Sequence, residues 1–342
     1  MTALRDGTAQ PLVDRYDTAL VDLDGVVYVG PDLVPGAAEA LAEARSRGIR
    51  VAFVTNNAAR TPQTVADHLC DLGVPAAETD VVTSGQAAAR AIAAKVPPGS
   101  AVLVVGGEGL DVALTELGLR PVRSAEDDPS AVVQGFAPHV GWELLTEGAI
   151  AVRRGLPWVA SNVDRTIPTR RGPAPGNGAL VGVITAATGV GPEVTGKPEL
   201  GLHREAMLRT GARHPLVVGD RLDTDIEGAN RAGVDSLLVL TGVTGPAEVV
   251  CAGAELRPTY IAADLASGLL SPHPEVQQQD GGWRCGGWLV GPETDGWDVS
   301  GRGDPVDGLR ALCAAVWSGG PDRAGTVDAA LRELGWDGPL QQ

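Results

Sequence analysis

Lysine is almost absent from this chain, since Lys95 and Lys197 are the only lysines among 27 basic residues. The formal net charge is −16, and the pI is near 4.7. A protein that binds nucleic acid or an anionic membrane through its surface charge needs a basic face, so this composition argues against both kinds of partner. If the ligand is an anion, the site must create its own positive field. A metal ion held by acidic side chains would supply one.

Cysteines and long apolar runs are also scarce. The four cysteines lie far apart and form no C-x-x-C motif, which favours free thiols in a reducing cytoplasm over disulfides or a zinc site. Residues 1–15 are polar and lack the apolar centre of a signal peptide. No stretch approaches the roughly 18 apolar residues of a membrane span. We therefore expect a cytoplasmic protein without a membrane segment.

What the chain does contain is an apolar strand that ends on two acids, Asp22 and Asp24. Acids at the carboxyl end of a parallel strand lie in the crevice where open α/β sheets bind ligands. A calcium loop of the EF-hand type would need an oxygen ligand at Val26 and a glutamate near Leu33, so that interpretation is disfavoured. From this stretch alone, a D-x-D pair that merely caps a turn remains an alternative.

Two further strands are predicted to end on polar residues. The strand over residues 49–54 stops at Thr55, and the strand over residues 214–218 is followed by Asp220. Parallel strands that are joined by crossover helices have their carboxyl ends at the same edge of the sheet. We therefore expect the side chains of Asp22, Thr55 and Asp220 to lie close together.

The order of the predicted elements indicates an α/β fold. It consists of a Rossmann-like parallel-sheet core, an inserted α/β cap domain and a small C-terminal α+β module. The core is predicted over residues 1–84 and 191–270, the cap over 85–190, a linker over 271–282 and the module over 283–342. The module carries five of the seven tryptophans, namely Trp283, Trp288, Trp297, Trp317 and Trp336. It has no glycine-rich phosphate loop, and its sequence indicates no role.

The predicted sheet edge gathers groups that suit a metal and a phosphate: Asp22, Asp24, Thr55, Lys197, Asp220 and Asp225. Carboxylates that would otherwise repel one another are best explained by a hard divalent cation, and an oxygen-ligand site with few ligands suits Mg²⁺. The lysine and the threonine hydroxyl complete a cradle for an anion with several acceptor oxygens, which indicates phosphate.

Four segments resemble, in order, the four motifs of the haloacid dehalogenase superfamily: Asp22-Leu23-Asp24-Gly25-Val26, Val54-Thr55-Asn56-Asn57, Gly196-Lys197-Pro198 and Gly219-Asp220-Arg221-Leu222-Asp223-Thr224-Asp225-Ile226. The insertion resembles the cap of its p-nitrophenylphosphatase, phosphoglycolate phosphatase and glycerol-phosphate phosphatase group. Segments 135–139 and 161–164 are similar to signatures of that cap. The resemblance covers about residues 17–270, and the C-terminal module falls outside it.

The resemblance implies a Mg²⁺-dependent phosphatase with an aspartyl-phosphate intermediate. Asp22 would be the nucleophile, and Asp24 would act as general acid and base. Asp22, Asp220 and the backbone carbonyl of Asp24 would hold Mg²⁺, and Asp225 would orient Lys197 or a metal-bound water. A dehalogenase of this superfamily has no metal and no acid at the second position, so Asp24 and Asp220 count against that activity.

The resemblance also implies how the phosphate and the rest of the substrate are bound. Thr55, the Asn56 backbone and Lys197 would neutralise the phosphoryl oxygens. The candidate substrate-binding residues are Asn57, Arg60, Asp164, Arg165 and Ile167. The two arginines could meet a polar or anionic leaving group or be ordinary surface residues. Ile167 offers no ring for stacking on a pyridine, which disfavours pyridoxal phosphate.

By analogy we expect a small phosphorylated metabolite as the partner, with glycerol 3-phosphate ahead of 2-phosphoglycolate. A phosphomutase is the nearest enzymatic alternative, and a non-catalytic regulator that binds a phosphate ester is an alternative from another class. The sequence leaves a homodimer open.

Overall fold

The structure, a computed structural model, describes residues 3–167, 169, 171–279, 281–293, 296–319 and 327–336. Its contacts divide the chain into two compact units: the first comprises Met1–Val51 and Arg213–Gln342, and the second comprises Ala52–Ala212. The predicted domain limits after residues 84, 190 and 270 do not coincide with these divisions and stay a prediction. Pro168 and Arg170 of the predicted cap, and residues 294–295, 320–326 and 337–342 of the predicted module, lie outside the described residues.

The strands are, in chain order, β1 (Thr18–Val21), β2 (Tyr28–Val29), β3 (Asp32–Leu33), β4 (Arg50–Thr55), β5 (Val81–Thr83), β6 (Ala101–Val105), β7 (Arg120–Val122), β8 (Ala131–Gln134), β9 (Trp158–Ala160), β10 (Thr166–Ile167), β11 (Ala174–Pro175), β12 (Glu193–Val194), β13 (Pro215–Gly219), β14 (Asp235–Val239), β15 (Tyr260–Ala262), β16 (Gln277–Gln279), β17 (Gly282–Cys285), β18 (Trp288–Glu293) and β19 (Gly296–Gly301).

The α-helices are α1 (Ala3–Asp6), α2 (Ala37–Ser46), α3 (Pro62–Asp71), α4 (Ser84–Ala93), α5 (Glu108–Glu116), α6 (Trp142–Arg153), α7 (Asn177–Thr188), α8 (Leu200–Thr210), α9 (Glu227–Ala232), α10 (Pro246–Val250), α11 (Leu265–Leu270), α12 (Pro305–Gly319) and α13 (Val327–Glu333).

The first unit is built on four parallel strands in the order β15-β14-β13-β1. Nearly all of their residues are buried, as expected for parallel strands that are covered on both faces. Val21 of β1 pairs with Val218 of β13, so the two chains leave the sheet side by side. This register brings the segments after β1 and β13 to the same edge, as the sequence predicts.

The second unit contains a five-stranded parallel sheet in the order β12-β9-β8-β6-β7. Alternate residues of β6 face two separate clusters: Val102 and Val104 pack with α4 and α5, while Leu103 and Val105 pack with α6 and α7. The predicted strands that correspond to β6, β8 and β9 are confirmed. The sequence does not predict β7 and β12, which form the two edges, because β7 contains Pro121 and β12 has only two residues.

The C-terminal module, defined here as the described residues between 277 and 336, is a four-stranded antiparallel sheet with α12 and α13 packed on it. The sequence predicts strands around 283–290, and the structure has β17 and β18 there, with the chain reversing at Gly286, whose φ is +54°. The stretch predicted as a linker contains β16 and the buried His273. The module shares one hydrophobic cluster with β14, β15 and α10 of the core.

A buried arginine also joins the module to the core. Arg310 of α12 donates to the Ile261 carbonyl through Nη2 at 2.5 Å and to His273 Nδ1 at 3.1 Å. Since a guanidinium only donates, His273 Nδ1 accepts, and its Nε2 carries the proton that goes to the Gly268 carbonyl at 2.8 Å. Burial, and then the Arg310 charge, lower the pKa of His273 to about 4. His273 is therefore neutral at pH 7.

Candidate active site

Three carboxylates of the first unit meet at the edge of its sheet. Asp22 comes directly after β1, Asp220 directly after β13, and Asp225 lies in a π-helical turn, Leu222–Ile226. One carboxylate oxygen from each lies within 4.8 Å of the others; Asp220 and Asp225 are buried, and Asp22 is half-buried. Like charges this close disfavour one another's ionisation unless a cation lies between them. A set of carboxylate oxygens fits a hard divalent ion such as Mg²⁺.

Glycine backbone fills the space around these acids. A Cβ atom at Gly25 or Gly242 would collide with the Asp220 carboxylate, and one at Gly219 would collide with Asp225. Gly25 also has a φ of +82°, which L side chains rarely adopt. The backbone therefore approaches both buried carboxylates so closely that a side chain does not fit.

The segment after β14, residues 241–244, holds Asp220 by hydrogen bonds and is called the 241–244 loop below. The Val243 N–H donates to Asp220 Oδ2 at 2.7 Å, and the Thr244 N–H donates to the Asp220 carbonyl at 3.1 Å. The Thr241 hydroxyl donates to the Gly25 carbonyl at 2.6 Å. This loop was not among the residues predicted from the sequence, although β14 ends close to a polar residue at the same edge as β1 and β13.

In the second unit, the side-chain amide of Asn56 holds the backbone of Lys197. The Lys197 N–H donates to Asn56 Oδ1 at 2.8 Å, and Asn56 Nδ2 donates to the Lys197 carbonyl at 3.1 Å. The Lys197 ammonium donates to the Val54 carbonyl at 3.2 Å, and only 4% of the lysine is exposed. A Cβ atom at Gly196 would collide with the Ser161 carbonyl and the Asn56 amide. This arrangement is called the Asn56 clasp below.

The cap segment after β9 is tied to the same clasp. Asn162 Nδ2 donates to the Asn56 carbonyl at 2.7 Å, and Asn56 Nδ2 is 3.2 Å from Asp164 Oδ2. Asn177 Nδ2 donates in turn to the Asn162 carbonyl at 2.7 Å. Asn162 is 5% exposed, and it was not among the predicted site residues. The sequence could have indicated Asn162, because it lies two residues before Asp164 in segment 161–164, which is similar to a cap signature.

The remaining predicted site residues belong to neither the carboxylate cluster nor the Asn56 clasp. Asp24 is exposed, and its carboxylate is not among the three that meet, whereas Asp225 supplies the third. Thr55 is buried at the end of β4, and its hydroxyl accepts the Asn57 N–H at 3.1 Å. Asn57, Arg60 and Arg165 are exposed, and Ile167 is half-buried. The catalytic, metal-binding and substrate-binding roles of these residues stay predictions.

Comparison with known proteins agrees with this fold. Residues 19–120 match a family described as haloacid dehalogenase-like hydrolase, and residues 194–267 match one described as HAD-hydrolase-like. The chain belongs to the haloacid dehalogenase-like hydrolases. It is 47% identical over 313 residues to the D-glycerol 3-phosphate phosphatase of Mycobacterium tuberculosis, with 90% of this chain and 87% of that protein covered.

Two solved structures extend the likeness. A crystal structure of glycerol phosphate phosphatase from M. tuberculosis in complex with magnesium has a TM-score of 0.85 and 44% identity, and covers 96% of this chain and 99% of its own. A double mutant of the thermostable NPPase from Geobacillus stearothermophilus has a TM-score of 0.67 and 35% identity, and covers 73% of this chain and 97% of its own.

Residues 285–336, within the C-terminal module, match a family described as GCN5-related N-acetyltransferase like domain. Within the residues that the structure describes, none of the helices has the length and apolar character needed to cross a membrane.

Proposed function

We propose that this protein is a Mg²⁺-dependent phosphatase that hydrolyses a small phosphate monoester, with glycerol 3-phosphate as the first candidate. The observation that carries the proposal is the meeting of Asp22, Asp220 and Asp225 within 4.8 Å in a chain of this family. The M. tuberculosis relatives, which are named for glycerol phosphate, support the choice of substrate.

In the proposed reaction, a carboxylate oxygen of Asp22 attacks phosphorus, and the bond from phosphorus to the ester oxygen breaks. Asp24 protonates the departing alkoxide and then takes a proton from the water that hydrolyses the aspartyl phosphate. Inorganic phosphate leaves, and the Asp22 carboxylate is restored. The exposure of Asp24 supports this role, because its carboxyl group must exchange protons with the leaving group and with water.

Bound Mg²⁺ would offset the negative charge on the phosphoryl oxygens. Asp22, Asp220 and the Asp24 backbone carbonyl would hold it, with Asp225 beside them. The proposed contacts to the phosphoryl oxygens come from the Thr55 hydroxyl, the Asn56 backbone and the Lys197 ammonium. The Asn56 clasp supports this assignment, because it fixes both backbone groups of Lys197 and so limits where its ammonium can reach.

We propose that the leaving group contacts Asn57, Arg60, Asp164, Arg165 and Ile167. Asp164 lies beside the Asn56 amide, which supports a place close to the phosphate. 2-Phosphoglycolate is the second candidate substrate, and a phosphomutase or a non-catalytic regulator is less favoured. Four free cysteines support a reducing compartment, the cytoplasm. A homodimer stays a prediction, and the acidic charge favours a metabolite over nucleic acid.

The test is phosphate release from glycerol 3-phosphate, 2-phosphoglycolate and p-nitrophenyl phosphate with Mg²⁺, for the wild type and Asp22→Asn. We expect wild-type turnover to rank glycerol 3-phosphate first by kcat/KM. Asp22→Asn should lose at least about 10⁴-fold in kcat, because the amide cannot act as the nucleophile. Asp32→Asn makes the same chemical change at an exposed aspartate of β3 and should stay fully active.

No phosphate release from any of these esters, or full activity of Asp22→Asn, would refute the proposal. Recovery of a phosphate isomer in place of free phosphate would indicate the phosphomutase. Tight binding of the ester without turnover would indicate the regulator.

A further inference from the structure

The 241–244 loop contacts both segments that carry the metal-binding acids. Its backbone donates to the Asp220 carboxylate, and Thr241 bonds the carbonyl of Gly25, the residue directly after Asp24. Val243 is 62% exposed and bonds Asp220 through its N–H, so the loop acts on Asp220 through its backbone rather than through side-chain packing. The position of the Asp220 carboxylate therefore depends on where this backbone lies.

The 241–244 loop continues into α10, a helix of five residues that is too short to be stable alone. Its stability must come from packing. Val249 and Val250 of α10 are fully buried in the hydrophobic cluster shared with the C-terminal module, and α10 contacts α12 and α13 of that module. The Trp317 indole N–H of α12 donates to the Val250 carbonyl at 3.0 Å. The Arg257 guanidinium lies 5.0 Å from the centre of the Trp317 ring.

We propose that the C-terminal module positions Asp220 for metal binding, acting through α10 and the 241–244 loop. The proposal rests on the proposed function, because it takes Asp220 to be a Mg²⁺ ligand. Thr241 and Trp317 are positioning residues in this account. Thr241 anchors the 241–244 loop to the Gly25 carbonyl, and Trp317 anchors α10 at the Val250 carbonyl, so each acts on Asp220 through the backbone that it bonds. The module then serves the phosphatase site without binding substrate.

The amino end of α12 also indicates that the module supports the phosphatase site rather than binding an anionic ligand of its own. Helix amino ends attract anions because their N–H groups lack partners within the helix. In α12, Asp304 Oδ1 accepts the Val306 N–H at 2.9 Å, and Asp307 adds a second acid to the first turn. Arg310, one turn further on, pairs with Asp307 Oδ1 at 2.6 Å. This helix end is thus occupied by the chain's own acids and disfavours an anionic ligand.

The test measures the Mg²⁺ dissociation constant of the full chain by titration calorimetry without substrate, together with kcat and KM at saturating Mg²⁺. Thr241→Val keeps the shape but removes the hydroxyl, whereas Thr241→Ser keeps the hydroxyl. We expect Thr241→Val to raise the dissociation constant about tenfold, as the loss of one hydrogen bond would, and Thr241→Ser to restore it to within about twofold. Glycerol 3-phosphate KM should stay unchanged.

Trp317→Phe removes the hydrogen bond to Val250, and Trp317→Ala also removes the ring. We expect the dissociation constant for Mg²⁺ to rise about threefold and about tenfold, respectively. The matched control is Trp336→Phe in the same module, whose indole donates to the Pro305 carbonyl at 3.3 Å, within the module itself. It should bind Mg²⁺ like the wild type. The double variant Thr241→Val, Trp317→Ala should raise the Mg²⁺ dissociation constant by less than the product of the two single-variant increases, because both residues act through one loop.

Two outcomes separate this inference from the proposed function. If Asp220→Asn binds Mg²⁺ as tightly as the wild type, the proposed metal site is wrong. If Asp220→Asn loses Mg²⁺ but folded Trp317→Phe and Trp317→Ala bind it normally, the metal site holds and the positioning role of the module is refuted. Trp317→Phe decides the matter if Trp317→Ala does not fold.

Discussion

In the first unit, glycines and backbone N–H groups surround the carboxylates, whereas in the second unit the side-chain amide of Asn56 holds the backbone of Lys197. The difference arises from charge. Three carboxylates repel one another, so the metal-free cluster stores unfavourable energy that a cation relieves. The Asn56 clasp holds the backbone of Lys197 through neutral amide and carbonyl groups, which do not repel one another in this way. The first cluster should therefore depend on Mg²⁺, and the second should not.

The largest expected effects come from one substitution in each cluster. Asp220→Asn and Lys197→Ala should each lower kcat by about 10³-fold, because the first removes a proposed Mg²⁺ ligand and the second removes the positive charge proposed to face the phosphoryl oxygens. They should differ in thermal unfolding. Asp220→Asn should raise the Tm in EDTA, by relieving repulsion, and abolish the rise on adding Mg²⁺. Lys197→Ala should keep that rise.

The comparison fails if Lys197→Ala also abolishes the Mg²⁺-dependent rise in Tm. It fails equally if Asp220→Asn retains the rise in full. Asp32→Asn serves as the control for an aspartate substitution in the first unit.

The next largest effect is expected when the free energy of unfolding is measured as a function of pH. The pKa of folded His273 is lowered from 6.5 to about 4, so the unfolded chain takes up a proton that the folded chain excludes. This contribution is fully present above about pH 6.5 and is lost as the pH falls through 4. We expect the loss to approach about 3 kcal/mol in the free energy of unfolding, measured by urea denaturation.

His273→Asn keeps an acceptor for Arg310 but does not titrate, so its stability should fall less between pH 6.5 and 4 than that of the wild type. His139→Asn, at an exposed histidine of the second unit, should show the wild-type profile. Identical slopes for the wild type and His273→Asn would contradict the assignment of a neutral buried imidazole.

The smallest effects come from two glycines of the second unit. Gly196→Ala should destabilise the protein by about 2 kcal/mol, since its Cβ atom would collide with the Ser161 carbonyl and the Asn56 amide. Gly182→Ala, in α7, has open space around the added Cβ atom and should stabilise by about 0.5–1 kcal/mol. Urea denaturation would measure both. Equal changes in the free energy of unfolding for the two variants would mean that the Asn56 clasp shifts to accommodate the added methyl group.

The sequence predicts the parts of the site that depend on local pattern. A strand that ends on acids identifies Asp22 and Asp220, and the structure brings their carboxylates together. The apolar runs of β6, β8 and β9 likewise identify the sheet of the insertion. In these cases the residues that form a strand also place the side chains at its carboxyl end.

The sequence could not predict the contacts that join distant segments. The bond between Asn56 and Lys197 spans 141 residues, and the bond between Thr241 and Gly25 spans 216. The spacing of apolar residues along the chain carries no information about such distant pairs. Asp225 was predicted among the carboxylates of the site, orienting Lys197 or a metal-bound water, and the structure brings its carboxylate to Asp22 and Asp220 through a π-helical turn. Of the module's sheet, the strands around 283–290 were predicted, whereas β16 and β19 were not: β16 is three glutamines in the stretch predicted as a linker.

The burial of Lys197 has a practical consequence for labelling this protein. Its two lysines differ sharply: Lys197 is 4% exposed, while the Lys95 side chain is 37% exposed and pairs with Glu193 at the surface. An amine-selective dye should therefore attach to Lys95 and the α-amino group and leave the Lys197 ammonium unmodified. A fluorophore or a solid support could be coupled to the folded protein by ordinary acylation chemistry, at a position remote in sequence from the proposed phosphate-binding motifs.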